Sequence, residues 1–435
     1  MALTNGAPTP QDLKIELRRA DGGYEAVVHW AEGPPTTSRL ELPDELSEVD
    51  EALASVGRGK RRRPRQAVQG GSFDPVRELG ERLFVSLVGG ELGPRYYRAV
   101  TQITAGGGQL RLLLLMADPV LANIPWELLY DPRRQDFVAL SVRTPLARRW
   151  CAADGDAGAA GPMPTLEGPL RLLVVDATGG ASPAGLEIDA LSKVAGDTLQ
   201  IANIVRTTDA PRALDAIAAG TEPLLYFVSA ETEGPRRGDG PSLGCGAAGA
   251  LAVDDLFGAL RARQGAERPP LRFAFWSGCD THEFAARAAP ALAASAGVRD
   301  ALTGDAAGAF VNGLYRAIAE GRSLRGAFTE ARRRVDRELP GNREWALPVL
   351  YAQRAAGLGA RAQKSAQVLA TGLGPESYRV RLAQARLEMH RRNAEALRRA
   401  LDEAKPERPG HLVEQAREAD RLAREAERQL EEAQA

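Results

Sequence analysis

The residue best placed to do chemistry in this sequence is Cys279, in Ser277-Gly278-Cys279-Asp280-Thr281 directly after the apolar run Leu271–Trp276. A thiol on a glycine turn at the mouth of a strand is partly exposed, and a flanking helix terminus can lower its pKa. As a thiolate it would attack a carbonyl carbon. As a thiol it would be a small, inert core residue. Taken alone, the cysteine leaves both readings open, and Cys151 and Cys245 have no comparable setting. A second apolar run, Leu224–Val228, also ends in a polar turn, Ser229-Ala230-Glu231-Thr232-Glu233-Gly234. With three widely spaced cysteines and four histidines (His29, His282, His390, His411), there is neither a CxxC zinc pattern nor a paired disulfide framework.

The elements that must position these turns alternate between strand and helix. Leu170–Val175, Gln200–Val205, Leu224–Val228 and Leu271–Trp276 read as strands. Leu186–Val194, Pro211–Ala219 and Val253–Arg261 read as the helices between them. Strands apolar on every residue and joined by helices predict a parallel sheet covered on both faces, with ligands gathering beyond the strands' carboxyl ends. Further on, Asp305 is expected to cap a helix through Ile318 that Gly321 ends. Ser323 should cap the next, with Leu324, Ala327, Phe328, Ala331 and Val335 on one face.

Residues 1–151 read as a mixed β/α unit. Strand candidates Leu13–Arg18 and Tyr24–Trp30 are joined at Gly22-Gly23, and the buried run Leu110–Met116 leads into a proline-punctuated turn. The arginine-rich stretch 58–65 reads as a solvated loop, with an anion-binding patch or a processing loop as the functional alternatives. Residues 152–168 form a linker of small residues, 169–358 the alternating α/β domain, and 359–435 a charge-laced helical region. In that last region Leu412, Ala416, Ala419, Ala423, Ala426, Leu430 and Ala433 trace an a/d seam. The chain has 435 residues, with 57 acidic against 56 basic side chains, so no global field draws it to nucleic acid or anionic lipid. The start has no signal-peptide pattern and no apolar run reaches membrane length, so the expected compartment is the cytoplasm.

Several pieces in this order resemble the CHAT-domain family of caspase-like cysteine peptidases, the clan that includes the separases. They are Ile124-Pro125-Trp126-Glu127-Leu128-Leu129-Tyr130-Asp131, the segment 137–143, the strand 170–175, the strand ending at Ala230, and the segment 249–256. They continue with Trp276-Ser277-Gly278-Cys279-Asp280-Thr281, Gly321-Arg322-Ser323-Leu324 and Trp345-Ala346-Leu347-Pro348-Val349-Leu350-Tyr351. The resemblance covers residues from about 110 to 355. It implies a caspase-like three-layer α/β/α sandwich with a mostly parallel sheet. A mixed β/α domain, a degenerate caspase-like half, would precede it and a helical tail would follow. It also implies a Cys-His dyad, with Cys279 as nucleophile and the backbone N–H groups of Cys279 and of residue 231 holding the oxyanion.

In caspases the histidine lies about 50 residues before the cysteine. Position 230 lies 49 before Cys279 and is alanine, and the residue after it, usually glycine in the family, is Glu231. Alanine has no proton acceptor. General acid–base catalysis contributes about 10²–10⁴-fold, so the chain is expected to be a very poor peptidase. His282, about one helical turn past the thiol, would point away from the wall where the base belongs. Ala230 is either a deliberate replacement of histidine or a natural loss, and the retained Cys279 favours a disabled version of a working peptidase.

Related basic-specific peptidases carry Asp two residues before the nucleophile. Ser277 stands there, leaving Asp176 at the mouth of the first strand as the specificity candidate, with Glu187 and Asp189 equally explained as helix-capping or surface residues. The resemblance implies an effector or signalling protease of a bacterial anti-phage or programmed-death system. Its partners would be a cleaved protein substrate, gasdermin-like or another operon-encoded effector, and a regulatory sensor protein, with no cofactor, no membrane and no direct nucleic-acid contact. The alternative is a natural pseudo-caspase that binds a peptide or partner. A nucleotide-binding loop at Val175–Gly180 lacks both GxGxxG and a Walker lysine.

Overall fold

The computed structural model describes residues 11–30, 33–42, 56, 74–90, 92–105, 107–151, 170–180, 184–196, 198–230, 241–245, 249–266, 268 and 270–352. It also describes nine helical residues between 391 and 431. The arginine-rich stretch 58–65, the linker 152–168, Glu231 and the seven residues of the tail's a/d seam lie outside the described residues.

The chain begins with β1 (Gln11–Ala20), β2 (Gly23–His29) and β3 (Thr36–Leu40), then α1 (Pro75–Val88), α2 (Leu92–Ala105) and β4 (Leu110–Met116). A short α3 (Pro119–Asn123), the small hairpin β5 (Tyr130–Asp131) and β6 (Asp136–Phe137), and β7 (Leu146–Trp150) complete this half. The second half runs β8 (Leu170–Asp176), α4 (Ala184–Ser192), β9 (Leu199–Arg206), α5 (Ala210–Ala219) and β10 (Leu224–Val228). The hairpin β11 (Ser242–Gly244) and β12 (Ala250–Ala252) follows, then α6 (Val253–Gly265) and β13 (Phe273–Ser277). It closes with α7 (Thr281–Ala288), β14 (Ala294–Val298), α8 (Gly304–Ala319), α9 (Leu324–Glu338) and β15 (Pro348–Ala352).

Eleven of these strands form one sheet, in the order β3-β2-β1-β4-β7-β15-β14-β13-β10-β8-β9. The two halves read from the sequence are therefore continuous, meeting where β15 runs parallel to β7 at Tyr351 and Arg148. The fold is α/β with a large, mostly parallel mixed sheet, compatible with a three-layer α/β sandwich. Central strands β4, β10, β13, β14 and β15 are buried at every residue, because helices cover strands of this kind on both faces. β9, at the sheet's edge, is half exposed.

Strand polarity reverses once between the halves. β8, β9, β10, β13 and β14 run parallel to one another, and β15 runs antiparallel to β14. The carboxyl ends of β8, β10, β13 and β14 thus share an edge with the amino ends of β15, β7 and β4. β10 lies on one side of β8 and β9 on the other, so the sheet's switch point, where crevices form in such folds, falls between β8 and β10.

Helix ends follow their capping chemistry. Ser323 caps α9 by accepting from the Gly326 amide at 3.3 Å, and Gly321 after α8 adopts φ +76. The cap of α8 is Thr303, not Asp305, which sits in the first turn; an acid there complements the helix dipole instead. In the tail, Arg391 pairs with Glu427 at 2.5 Å and Arg398 with Asp420 at 2.7 Å. The partners step seven residues in opposite directions, which is antiparallel helical register. Among the described residues no helix is long and apolar enough to cross a membrane.

Candidate active-site crevice

The turn that carries Cys279 is fixed by groups on both sides of it. Ser277 ends β13 opposite Val228 of β10, and its carbonyl accepts both the amide (2.8 Å) and the hydroxyl (2.9 Å) of Ser229. Gly278 follows at φ +134, and a Cβ built there would overlap the Ser229 hydroxyl, so conformation and space both demand glycine. Asp280 is left-handed as well (φ 56) and stands at the N-cap of α7. Thr281 closes the turn: its hydroxyl donates to the Trp276 carbonyl at 2.6 Å and accepts the Val298 amide at 2.8 Å. Cys279 is lifted out of the sheet on this turn and is exposed. Its backbone N–H has no carbonyl partner among the described residues.

The last β10–β13 pair is Val228 with Ser277, so Ala230 and Cys279 each lie two residues beyond it, past the ends of neighbouring strands. The backbone of Ala230 is held by a bridge to Gly244, its amide donating to that carbonyl at 2.9 Å. Position 230 is alanine, a methyl group with no proton acceptor. Of the described histidines, His29 pairs with Glu16 at 3.4 Å in the first half. His282 is buried, with Nε2 3.3 Å from Asn123 Oδ1. Neither ring serves the thiol.

Carboxylates surround the sulfur instead. Cys279 Sγ lies 3.6 Å from Asp300 Oδ1, on the loop after β14, and 3.8 Å from Asp280 Oδ2. Burial of the sulfur, then the charges of Asp280 and Asp300, push the thiol up to about 12. The lowering expected from the flanking helix terminus is overridden, because burial first and then two anions close to the sulfur outweigh a single helix end. Sequence reasoning did not single out Asp300.

Behind the crevice stands a second carboxyl group. Asp176 ends β8 opposite Val228, 1% exposed; Oδ1 accepts from the Thr178 amide (3.0 Å) and hydroxyl (2.6 Å). Oδ2 is 3.7 Å from Arg206 Nε and accepts no hydrogen bond. Glu187 of α4 is buried rather than on the surface; it accepts from Ser277 Oγ at 3.1 Å and from the Tyr226 hydroxyl. Burial, with the charge of Asp176 added, pushes the Glu187 carboxyl up against those two hydrogen bonds. Ser277 thus recruits a carboxyl from a neighbouring helix, while Asp189 is exposed.

The Trp-Glu box belongs to a clamp between the halves. Glu127 is wholly buried and receives two hydrogen bonds from Arg148, one at 2.9 Å, with Arg332 at 3.9 Å. Arg299, next to Asp300, donates to the carbonyls of Ala122 (2.6 Å), Asn123 (2.9 Å) and Ile124 (3.0 Å). Among the described residues no group of three or more histidine, cysteine or acidic side chains could hold a metal ion. No protein-family model matches the chain, and no curated protein matches it.

Proposed function

We propose that this chain is a CHAT-type, caspase-like protein whose crevice at Cys279 binds a segment of a partner protein, with the peptidase reaction disabled at Ala230. The observation that supports the reading is the exposed Cys279 just past the end of β13 with Asp280 and Asp300 beside its sulfur, and alanine two residues past the end of the neighbouring β10. A neutral thiol beside two carboxylates is a poor nucleophile at physiological pH. The Cys279 turn lies at the carboxyl edge of the sheet, one strand away from the β8–β10 switch point, the region where such sheets take ligands. Asp176, whose Oδ2 accepts no hydrogen bond, is the carboxylate that would pair with a lysine or arginine side chain of the bound segment.

The exposed position of Cys279, with its backbone N–H open to an oxyanion, favours a disabled peptidase over a scaffold that never cut. Given an imidazole at position 230, the thiol proton would pass to the ring and sulfur would add to the peptide carbonyl. The ring would then protonate the leaving amine, and water would hydrolyse the thioester. By the resemblance, the setting is a bacterial anti-phage or programmed-death system in which a sensor protein controls access to the partner.

Panning a random peptide library on the parent chain tests this. Enriched peptides should return intact from the parent and compete for a site blocked by Ala230→Trp. The Ala230→His/Asp300→Asn variant should cut them, and adding Cys279→Ala should abolish the cutting. Cys279-dependent cleavage by the parent would overturn the disabled state. Peptide binding indifferent to Ala230→Trp would overturn the groove.

A further inference from the structure

A second cleft opens on the same edge of the sheet as Cys279. It encloses about 550 Å³ between the β6–β7 connection and the last turns of α9, and four guanidinium groups line it: Arg134, Arg143, Arg333 and Arg337. Arg134 is 3.7 Å from Asp131, and Arg337 pairs with Glu330 at 2.9 Å. Arg143 and Arg333 have no carboxylate within ion-pair distance among the described residues, and Arg143 is exposed. The Arg143 carbonyl accepts the Leu110 amide at 2.9 Å, placing this residue at the amino ends of β4 and β7. Those ends share an edge with the carboxyl end of β13.

We propose that this cleft is a docking site for an acidic segment of the protein partner whose neighbouring residues enter the Cys279 crevice. The inference rests on the reading above for the existence of such a partner, but not on any chemistry at Cys279. Guanidinium groups bind carboxylates through paired hydrogen bonds; Arg143, and Arg333 within electrostatic reach of Asp136 but in no ion pair among the described residues, supply both charge and geometry in a concave site. Asp136 and Asp336 stand in the same wall, where burial and their mutual repulsion raise the Asp136 carboxyl. Among the described lining residues no aromatic ring offers bases a surface to stack on, which disfavours nucleic acid. A peptide meets both signs, since its backbone N–H groups can face the carboxylates. Leu140 and Val142 offer apolar contact between the charges.

The strand order also sets a spacing. β13 and β7 are separated by β14 and β15, three strand steps or about 14 Å. An extended peptide covers that in about four to five residues, so the acidic cluster should lie that far from the residue seated at Cys279.

Fluorescence anisotropy with fluorescein-labelled hexaglutamate tests the site on the full chain. The parent should bind, and Arg143→Glu/Arg333→Glu should weaken binding about tenfold or more. Arg143→Lys/Arg333→Lys should retain most of it, with unchanged circular dichroism in both variants. Affinity left intact by the charge reversal would overturn the proposal. So would hexauridylate or inorganic tripolyphosphate binding the same site more tightly than hexaglutamate. Because neither arginine belongs to the Cys279 crevice, failure here leaves peptide capture there standing, and loss of that capture leaves hexaglutamate binding standing.

Discussion

One carboxylate oxygen, Asp300 Oδ1, stands 3.6 Å from the Cys279 sulfur and also accepts the Ala301 amide at 2.7 Å. The backbone bond holds the charge in place, so the negative field at sulfur is a fixed part of the turn. Asp300→Asn keeps the amide bond and removes the charge. With the thiol now held at about 12, loss of a like charge at this distance should raise the thiolate fraction about tenfold at any pH below that value. Intrinsic nucleophilicity falls as the pKa falls, leaving a net gain of about threefold in iodoacetamide alkylation at pH 8. An alkylation rate unchanged from the parent would show that burial alone sets the thiol.

Glu187 gives a pH signature of the opposite kind from most buried acids. Burial raises its carboxyl in the fold, so the folded state holds the proton more tightly than the unfolded chain does. Its contribution is fully present below the unfolded value of about 4.3 and is lost as the pH rises through the raised folded value. Glu187→Gln removes that titration while leaving an amide to face Ser277 and Tyr226. The variant should match or exceed the parent's melting temperature at pH 8, with its relative advantage shrinking toward pH 4. A variant whose relative advantage grows on acidification would refute this.

The parts of the site differ in how legible they were, for physical reasons. Leu224–Val228 was readable to the residue because it is apolar throughout and bounded by turn formers. Ala294–Val298 is just as buried but consists of Ala, Ser, Gly and Val, which carry little strand signal, so β14 and Asp300 beyond it went unread. For Glu187 the sequence leaves pocket, helix-capping and surface roles open, because charge is the surface default; its burial follows from two hydroxyl donors distant in sequence. The joining of the halves rests on β15 meeting β7 about 200 residues apart, and pairing at that separation leaves no local periodicity.

Gly278 should be the least replaceable glycine near the site. Gly278→Ala meets both a positive φ and the Ser229 hydroxyl, and a loss of about 3 kcal/mol is expected. Gly180 has φ +94 with open space around it, so Gly180→Ala meets backbone strain alone and should cost about 1 kcal/mol. Adding Ser229→Ala to Gly278→Ala should recover part of the loss, because it removes the overlap and leaves the strain. Urea unfolding of the four chains separates these contributions, and equal losses at the two glycines would contradict the steric account.

Arg299 couples the first half of the chain to the turn at Cys279. Its guanidinium carries three carbonyls of the 122–124 segment, and among the described residues Arg299 is the side chain that holds Asn123 O, since Arg148 reaches only Ala122 and Ile124. Burial and the neighbouring Arg148 charge lower Arg299 to about 10, so it remains charged at neutral pH. Arg299→Met orphans a buried carbonyl and should cost about 3 kcal/mol; Arg299→Lys should recover little, because a single ammonium nitrogen lacks the planar fork whose two nitrogens span these carbonyls. Releasing this clamp also frees the loop bearing Asp300, so Cys279 should alkylate faster in Arg299→Met than in the parent. That gain should vanish when Asp300→Asn is already present, which a double-mutant cycle on alkylation rates measures. Full additivity would mean the clamp stabilises the fold without positioning the carboxylate.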